Sequence, residues 1–222
     1  MTVESDIRAR LRRSTAAAHE RLHHHRGFAA VAAGTVSLGC YRLLLARLWG
    51  FHSAFERVLG QFSRCLDAGV ALEPRARSSF LESDLAALGM DRDRVRALPQ
   101  CSSLLAPRSI AEFLGALYVI EGSTLGGLHL ARALAPLLGA ETTEGRTFFL
   151  GYGDQHGAMW RSFLDRLNDG VANEADAAHA VDGATRTFCD FENWMERWDA
   201  PPTTGAGVVP LEAARRSSIA SA

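Results

Sequence analysis

Two glycines in the middle of the chain have the type and spacing to support chemistry. Gly122 and Gly126 lie in the run 118–127 (YVIEGSTLGG), within a segment from about 109 to 138 whose apolar spacing predicts a long helix. A glycine inside a helix costs roughly 1 kcal/mol relative to alanine, but its missing Cβ lets a flat molecule lie against the backbone. Residues four apart share a helical face. The pair therefore predicts either a seat for a planar ligand or close packing against another helix.

A histidine near the N-terminus is the second candidate for binding a ligand. His19 follows Thr15 by four residues in an alanine-rich part of a predicted helix over 4–28, and the alanines leave space beside the imidazole. Taken alone, His19 is more simply an ordinary half-buried histidine. His23 shares its helical face. The run of three histidines that begins there is more typical of a solvated cationic patch near a helix C-terminus than of a metal site.

These residues must be positioned by packed helices, because no segment shows the alternation of a strand. Ser109 and Glu112 predict a capping box at the start of the glycine-containing helix. Asp84 falls in a shorter helix over about 74–89 and is expected to be solvated. Further helices are predicted from Ser37, from Asp91, around Trp160, and from Glu174 to Trp198. The expected fold is all-α, with six to eight helices around one core.

Length and composition bound the class of protein. The 222 residues suffice for one domain with a substantial core, expected over residues 1–200 and followed by a disordered tail at 201–222. Hydrophobic residues make up 47%, charged residues 22%, and the formal net charge is −1, so nothing indicates a nucleic-acid surface. The four cysteines are scattered without CxxC spacing. No signal peptide or membrane span is predicted, and we expect a soluble cytoplasmic protein.

The two candidate sites together describe one chemistry. An imidazole can hold an iron ion on one side of a porphyrin while a helix without side chains lies over the other side, which leaves the sixth position open for dioxygen. The motifs that carry these features resemble the heme oxygenase family over about residues 5–198, and are most similar to its bacterial branch, including enzymes that accompany bacteriophytochromes. They read Leu11-Arg12-x-x-Thr15-x-x-x-His19, Ser37-x-x-x-Tyr41, Phe51-x-x-x-Phe55-Glu56 and Tyr118-x-x-Glu121-Gly122-Ser123-x-Leu125-Gly126-Gly127.

The resemblance implies roles for individual residues. His19 would be the proximal ligand of the heme iron, and Gly122 and Gly126 would contact the distal face. Ser123 stands where some members have an aspartate that orders distal waters; its hydroxyl can donate and accept, but it carries no charge. Gly122, Ser123 and Gly126 are the residues implied to act in catalysis. The residues implied to bind heme are Arg12, Thr15, His19, Tyr118, Gly122, Gly126, Gly127 and Phe188.

Other implied roles concern the edge of the heme. Arg12 and Tyr118 match residues that pair with the heme propionates, and a guanidinium suits a carboxylate. Phe188 and Trp160, with the turn at 148–152, are expected to wall the pocket. His23 occupies the position where some members place a carboxylate beside the ligand, so the second partner of the ligand would be neutral. His23 is also an alternative candidate for the iron ligand, although the Thr-x-x-x-His register belongs to His19.

The implied activity is oxidative cleavage of heme at a meso carbon to biliverdin, carbon monoxide and free iron. Heme, of the b type, would be both cofactor and substrate, with O2 as co-substrate. The chain has no GxGxxG fingerprint for a flavin or nicotinamide, so electrons would come from a ferredoxin or a flavoprotein reductase, and a bacteriophytochrome could receive the biliverdin. No histidine lies within 122–127, and His129, just beyond, is expected to face elsewhere.

Two alternatives remain open at this point. A non-catalytic heme-binding, sensor or carrier protein could use the same scaffold and the same residues. A helical bundle without heme could use Gly122 and Gly126 for packing alone.

Overall fold

The structure, a computed structural model, describes residues 4–65 and 71–199. These residues form an all-α domain without strands, which confirms the predicted fold class. The helices are α1 (Glu4–His23), α2 (Arg26–Ala32), α3 (Leu38–Cys65), α4 (Ser78–Ala87), α5 (Arg92–Arg96), α6 (Ile110–Ala133), α7 (Ala135–Leu138), α8 (Thr147–Leu150), α9 (His156–Gly170) and α10 (Glu174–Met195). Within these ranges no helix has both the length and the apolar character to cross a bilayer. The predicted tail at 201–222 lies outside the described residues.

The two helices of interest are shorter than predicted, for local reasons. α1 ends at His23, not at residue 28, because His25 is extended (φ −62°, ψ 124°) and its ring packs near Trp198, with ring centroids 5.8 Å apart. α6 begins as predicted, with the Ser109 hydroxyl accepting from the Glu112 amide at 3.1 Å. It ends at Ala133, not at residue 138, because Pro136 cannot continue the hydrogen-bonded ladder and opens α7 instead.

α6 is the central helix and packs backbone to backbone against α10. A Cβ added at Gly115 would lie 1.9 Å from the carbonyl oxygen of Ala180, and one added at Gly183 would lie 2.1 Å from that of Glu112. Neither position can accept a side chain without moving the helices apart. Close helix packing, which was the alternative raised for Gly122 and Gly126, therefore explains a different glycine of α6, Gly115.

α1 packs along α10 and shares an apolar cluster with it. Ile7, Leu11 and Ala18 are buried in this cluster together with residues of α6, α9 and α10. Ion pairs on the surface join α1 to α10, with Arg10 2.5 Å from Glu174 and Arg21 2.7 Å from Glu192. His19 lies at the edge of this buried stripe, one turn after the buried Thr15, and is exposed.

The expectation that Asp84 is solvated is wrong. Its carboxylate is fully buried and accepts from the Thr147 amide at 2.8 Å, the Thr147 hydroxyl at 2.6 Å and the Phe148 amide at 2.9 Å. These are the first groups of α8, which would otherwise lack partners. Burial raises the pKa of Asp84, and the hydrogen bonds oppose this effect. Asp84 of α4 therefore holds the start of α8 against α4.

Candidate functional site

The glycine face of α6, Gly122 and Gly126, adjoins open space. A Cβ added at Gly126 would have no described atom within 4 Å outside its own turn, and one added at Gly122 would reach only the Trp160 ring, at 4.0 Å. Leu125, beside them, is 49% exposed although it is large and apolar. α6 nevertheless continues unbroken through these positions. Packing among the described residues therefore does not explain these two glycines, whereas a flat apolar ligand would.

Cationic and phenolic groups gather at the N-terminal end of the glycine face. Tyr118, one turn before Gly122, is half-buried, with its ring centroid 5.8 Å from that of Trp160. Burial raises the pKa of Tyr118, and the charges of Arg8 and Arg12 oppose this shift. Arg8 also lies over the Trp160 ring, 5.9 Å from its centroid. The sequence indicated Arg12 and Tyr118 but missed Arg8, although it lies one turn before Arg12 on the same helix.

His19 is exposed on α1, although neighbouring residues cover part of its imidazole. Its ring stands edge-on to that of His23, with centroids 4.6 Å apart. Partial burial, and then the neighbouring His23, lower the pKa of His19. The imidazole is therefore neutral at neutral pH, the form that ligates a metal. Thr15 is buried one turn earlier and donates to the Leu11 carbonyl at 2.8 Å, so its hydroxyl is engaged within the helix.

Comparisons with known proteins identify the family. A heme oxygenase family model matches residues 5–197. The heme oxygenase of Xanthomonas campestris pv. campestris is 32% identical over 169 residues, covering 75% of this chain and 94% of that protein. The chain belongs to the heme oxygenase family. Family membership makes it an oxidoreductase with heme as its substrate, in agreement with the motifs.

Solved structures share the fold. The NO- and CO-bound heme oxygenase of Neisseria meningitidis superposes with a TM-score of 0.66 at 24% identity, covering 92% of this chain and 98% of that one. A heme oxygenase of the cyanobacterium Synechocystis in complex with heme gives a TM-score of 0.64 at 22% identity, covering 86% and 90%. At these identities the likeness concerns the fold alone.

The remaining residues predicted to bind heme lie in different surroundings. Ser123 is exposed and donates to the Ile120 carbonyl at 2.7 Å, so its oxygen stays able to accept from water. Gly127 faces another way from the glycine face: a Cβ there would lie 2.5 Å from the Phe149 carbonyl, which gives Gly127 a packing role. Phe188 is buried in the apolar cluster against which Tyr118 and Trp160 pack. Contact of these residues with heme stays a prediction.

A buried charged group next to the glycine face was missed by sequence reasoning. The Glu121 carboxylate is 1% exposed, lies 2.6 Å from the Arg75 guanidinium, and accepts from the Tyr152 hydroxyl at 2.8 Å. Burial and Glu121 together raise the pKa of Tyr152. Through Glu121, the residue before Gly122, these contacts join α6 to Arg75, which precedes α4, and to Tyr152, which follows α8. A glutamate inside an apolar helix was the available signal, but its partners lie far away in the chain.

The turn at 148–152 supports α6 on sides other than the glycine face. The Phe149 carbonyl meets Gly127 and Tyr152 meets Glu121, while Phe148 packs against His52 with ring centroids 5.0 Å apart. A cavity of about 180 Å³ lies on this side of α6, where Arg75 and Ile120 contribute to its lining. It is separate from the glycine face.

The expectation that His129 faces elsewhere is wrong. α6 is continuous from Ile110 to Ala133, so the residue that comes three positions after Gly126, and seven after Gly122, lies on the same face as both glycines. That residue is His129, and it is exposed, as are Leu125 and Gly126. The glycine face thus runs from Tyr118 at one end to His129 at the other.

Proposed function

We propose that the chain cleaves b-type heme at a meso carbon, with O2 as co-substrate, while heme lies between His19 and the glycine face of α6. Biliverdin, carbon monoxide and free iron would be the products. The observation that carries the proposal is the open space above Gly122 and Gly126, on a helix that is otherwise packed at its glycines. An open, partly apolar face on α6 and a neutral imidazole on α1 are the two features that binding of a porphyrin with iron at its centre requires.

The residues around the glycine face match both chemical parts of heme. Leu125, 49% exposed in the free chain, would be covered by the apolar porphyrin. The propionates are anionic, and Arg8, Arg12 and the Tyr118 hydroxyl would offer them cations and a donor at the Tyr118 end. The groups around the glycine face would therefore match both the apolar ring and the anionic propionates of heme.

Each residue has a defined task in the proposed reaction. Heme, when bound, supplies the iron at which O2 is activated. His19 would hold the iron through a neutral imidazole, and His23 beside it would add no negative charge to strengthen this ligand. Gly122 and Gly126 keep side chains away from the distal face, so no side-chain acid stands over the reacting atoms. Ser123 can hold a water there through its free lone pair.

We infer the partners from the same chemistry. The chain carries no flavin or nicotinamide fingerprint, so the electrons would come from a separate ferredoxin or flavoprotein reductase. We propose a cytoplasmic location, where such donors operate, and a bacteriophytochrome as the receiver of biliverdin. The similarity of the glycine motif to the phytochrome-accompanying branch supports the last point.

A single-turnover assay tests the function. Hemin-loaded protein is given reductant and air with catalase present, and the absorption spectrum is followed while carbon monoxide is trapped. Loss of the heme band with formation of biliverdin is expected. Stable reduced heme without ring opening would favour the non-catalytic heme-binding alternative.

A pair of histidine variants tests the ligand. His19→Ala should change the heme spectrum and abolish turnover, while His179→Ala, at an exposed histidine of α10, should change neither. An unchanged spectrum in His19→Ala would contradict the assignment.

A further inference from the structure

We propose that His129 lies against the rim of the bound porphyrin and fixes its position in the plane of the ring. The inference rests on the proposed function and extends it to a residue at the end of the glycine face opposite Tyr118. His129 would act as a positioning residue that does not coordinate the iron.

Helix geometry brings the imidazole to the rim. Successive residues on one face of a helix are only about 5 Å apart along the axis, so a porphyrin over Gly122 and Gly126 must extend to the next residue on that face. Side chains on a helix also lean toward its N-terminus, which tilts His129 toward Gly126. Its ring still leaves the space above Gly126 clear, since no described atom comes within 4 Å of a Cβ there.

The surroundings favour packing over ligation or ion pairing. The glycine face lets the backbone approach the porphyrin closely, which leaves no room for an imidazole standing on the iron. At the other end Arg8 lies over the Trp160 ring, which is next to Tyr118, and these groups with Arg12, one turn further along α1, would hold the propionates there. The rim near His129 would then be hydrocarbon, and Leu125, one turn before His129, is apolar and exposed. A flat ring suits such a rim.

The position of the heme can be read without turnover. Proton NMR of the cyanide-inhibited ferric complex reports the in-plane orientation through the shifted heme methyl resonances. We expect His129→Ala to show a second set of methyl resonances and to raise the Kd for hemin about three- to tenfold, as the loss of a small apolar contact implies. His129→Phe should restore the single set, and His129→Gln should not. The biliverdin isomers should change in parallel.

Several outcomes would overturn the proposal. A methyl pattern and a Kd in His129→Ala equal to those of the wild type and of the His179→Ala control would make His129 only a solvated histidine. Rescue by Gln and not by Phe would replace ring packing with a hydrogen bond. A low-spin ferric spectrum that becomes high-spin in His129→Ala would make it an iron ligand. Failure of the wild type to bind hemin would instead refute the proposed function.

Discussion

Replacing Gly126 with alanine should stabilise the free protein and weaken heme binding at the same time. No described atom lies within 4 Å of the added Cβ, and the helix is continuous there, so the methyl group meets no obstacle in the free chain. The same methyl group stands in the space where the porphyrin would lie. Gly127→Ala should do the opposite to stability, because its Cβ would lie 2.5 Å from the Phe149 carbonyl.

The magnitudes follow from helix propensity and packing. Alanine gains up to about 1 kcal/mol over glycine inside a helix, which raises Tm by roughly 2–4 °C in a protein of this size. Overpacking costs about 1–3 kcal/mol, enough for Gly127→Ala to lower Tm despite the gain in propensity. The same overpacking against a bound porphyrin in Gly126→Ala corresponds to roughly a 5- to 150-fold rise in the Kd for hemin.

Thermal unfolding of the free variants and hemin titration by absorbance measure the two effects. Gly39→Ala is a matched control, because Gly39 also lies in a helix with no described atom within 4 Å of an added Cβ. It should raise Tm slightly and leave the hemin titration unchanged. A lower Tm in Gly126→Ala would refute the open space. Unchanged hemin binding in a stabilised Gly126→Ala would refute the glycine face as the heme seat.

Three further predictions concern buried charge, acid stability and the propionate end. Glu121→Gln leaves the buried Arg75 without its counter-ion and should lower the free energy of unfolding in urea by about 3–5 kcal/mol; a loss below about 1 kcal/mol would contradict a desolvated pair. Burial, and then the charge of Arg77, lower the pKa of His52 to about 3. The unfolded chain therefore binds the proton first as pH falls from 6.5 toward 3, and stability drops over that window; His52→Leu should flatten the drop, and an unchanged pH profile would refute the assignment. Arg12→Ala and Tyr118→Phe should each raise the Kd for hemin without changing Tm, and titrations equal to wild type would remove the propionate roles.

The sequence by itself determined the local structure and the family. The Ser109 cap, the helical spacing of Gly122 and Gly126, and the Thr15–His19 register depend on residues within one or two turns of each other, so they can be read along the chain. The all-α fold follows from such periodicity. The resemblance to heme oxygenase then assigned His19 of α1 and the glycines of α6 to one heme site. Residue spacing within each helix does not contain that relation.

Only the tertiary structure decided which environment each of these residues has. Gly115, Gly126 and Gly127 are alike in sequence, yet one packs on α10, one adjoins open space and one packs on Phe149. Asp84 lies 63 residues from its partner Thr147, and Glu121 is similarly remote from Arg75. Whether a side chain is buried, paired or free depends on segments that approach it only when the chain is packed, and local periodicity carries no record of them.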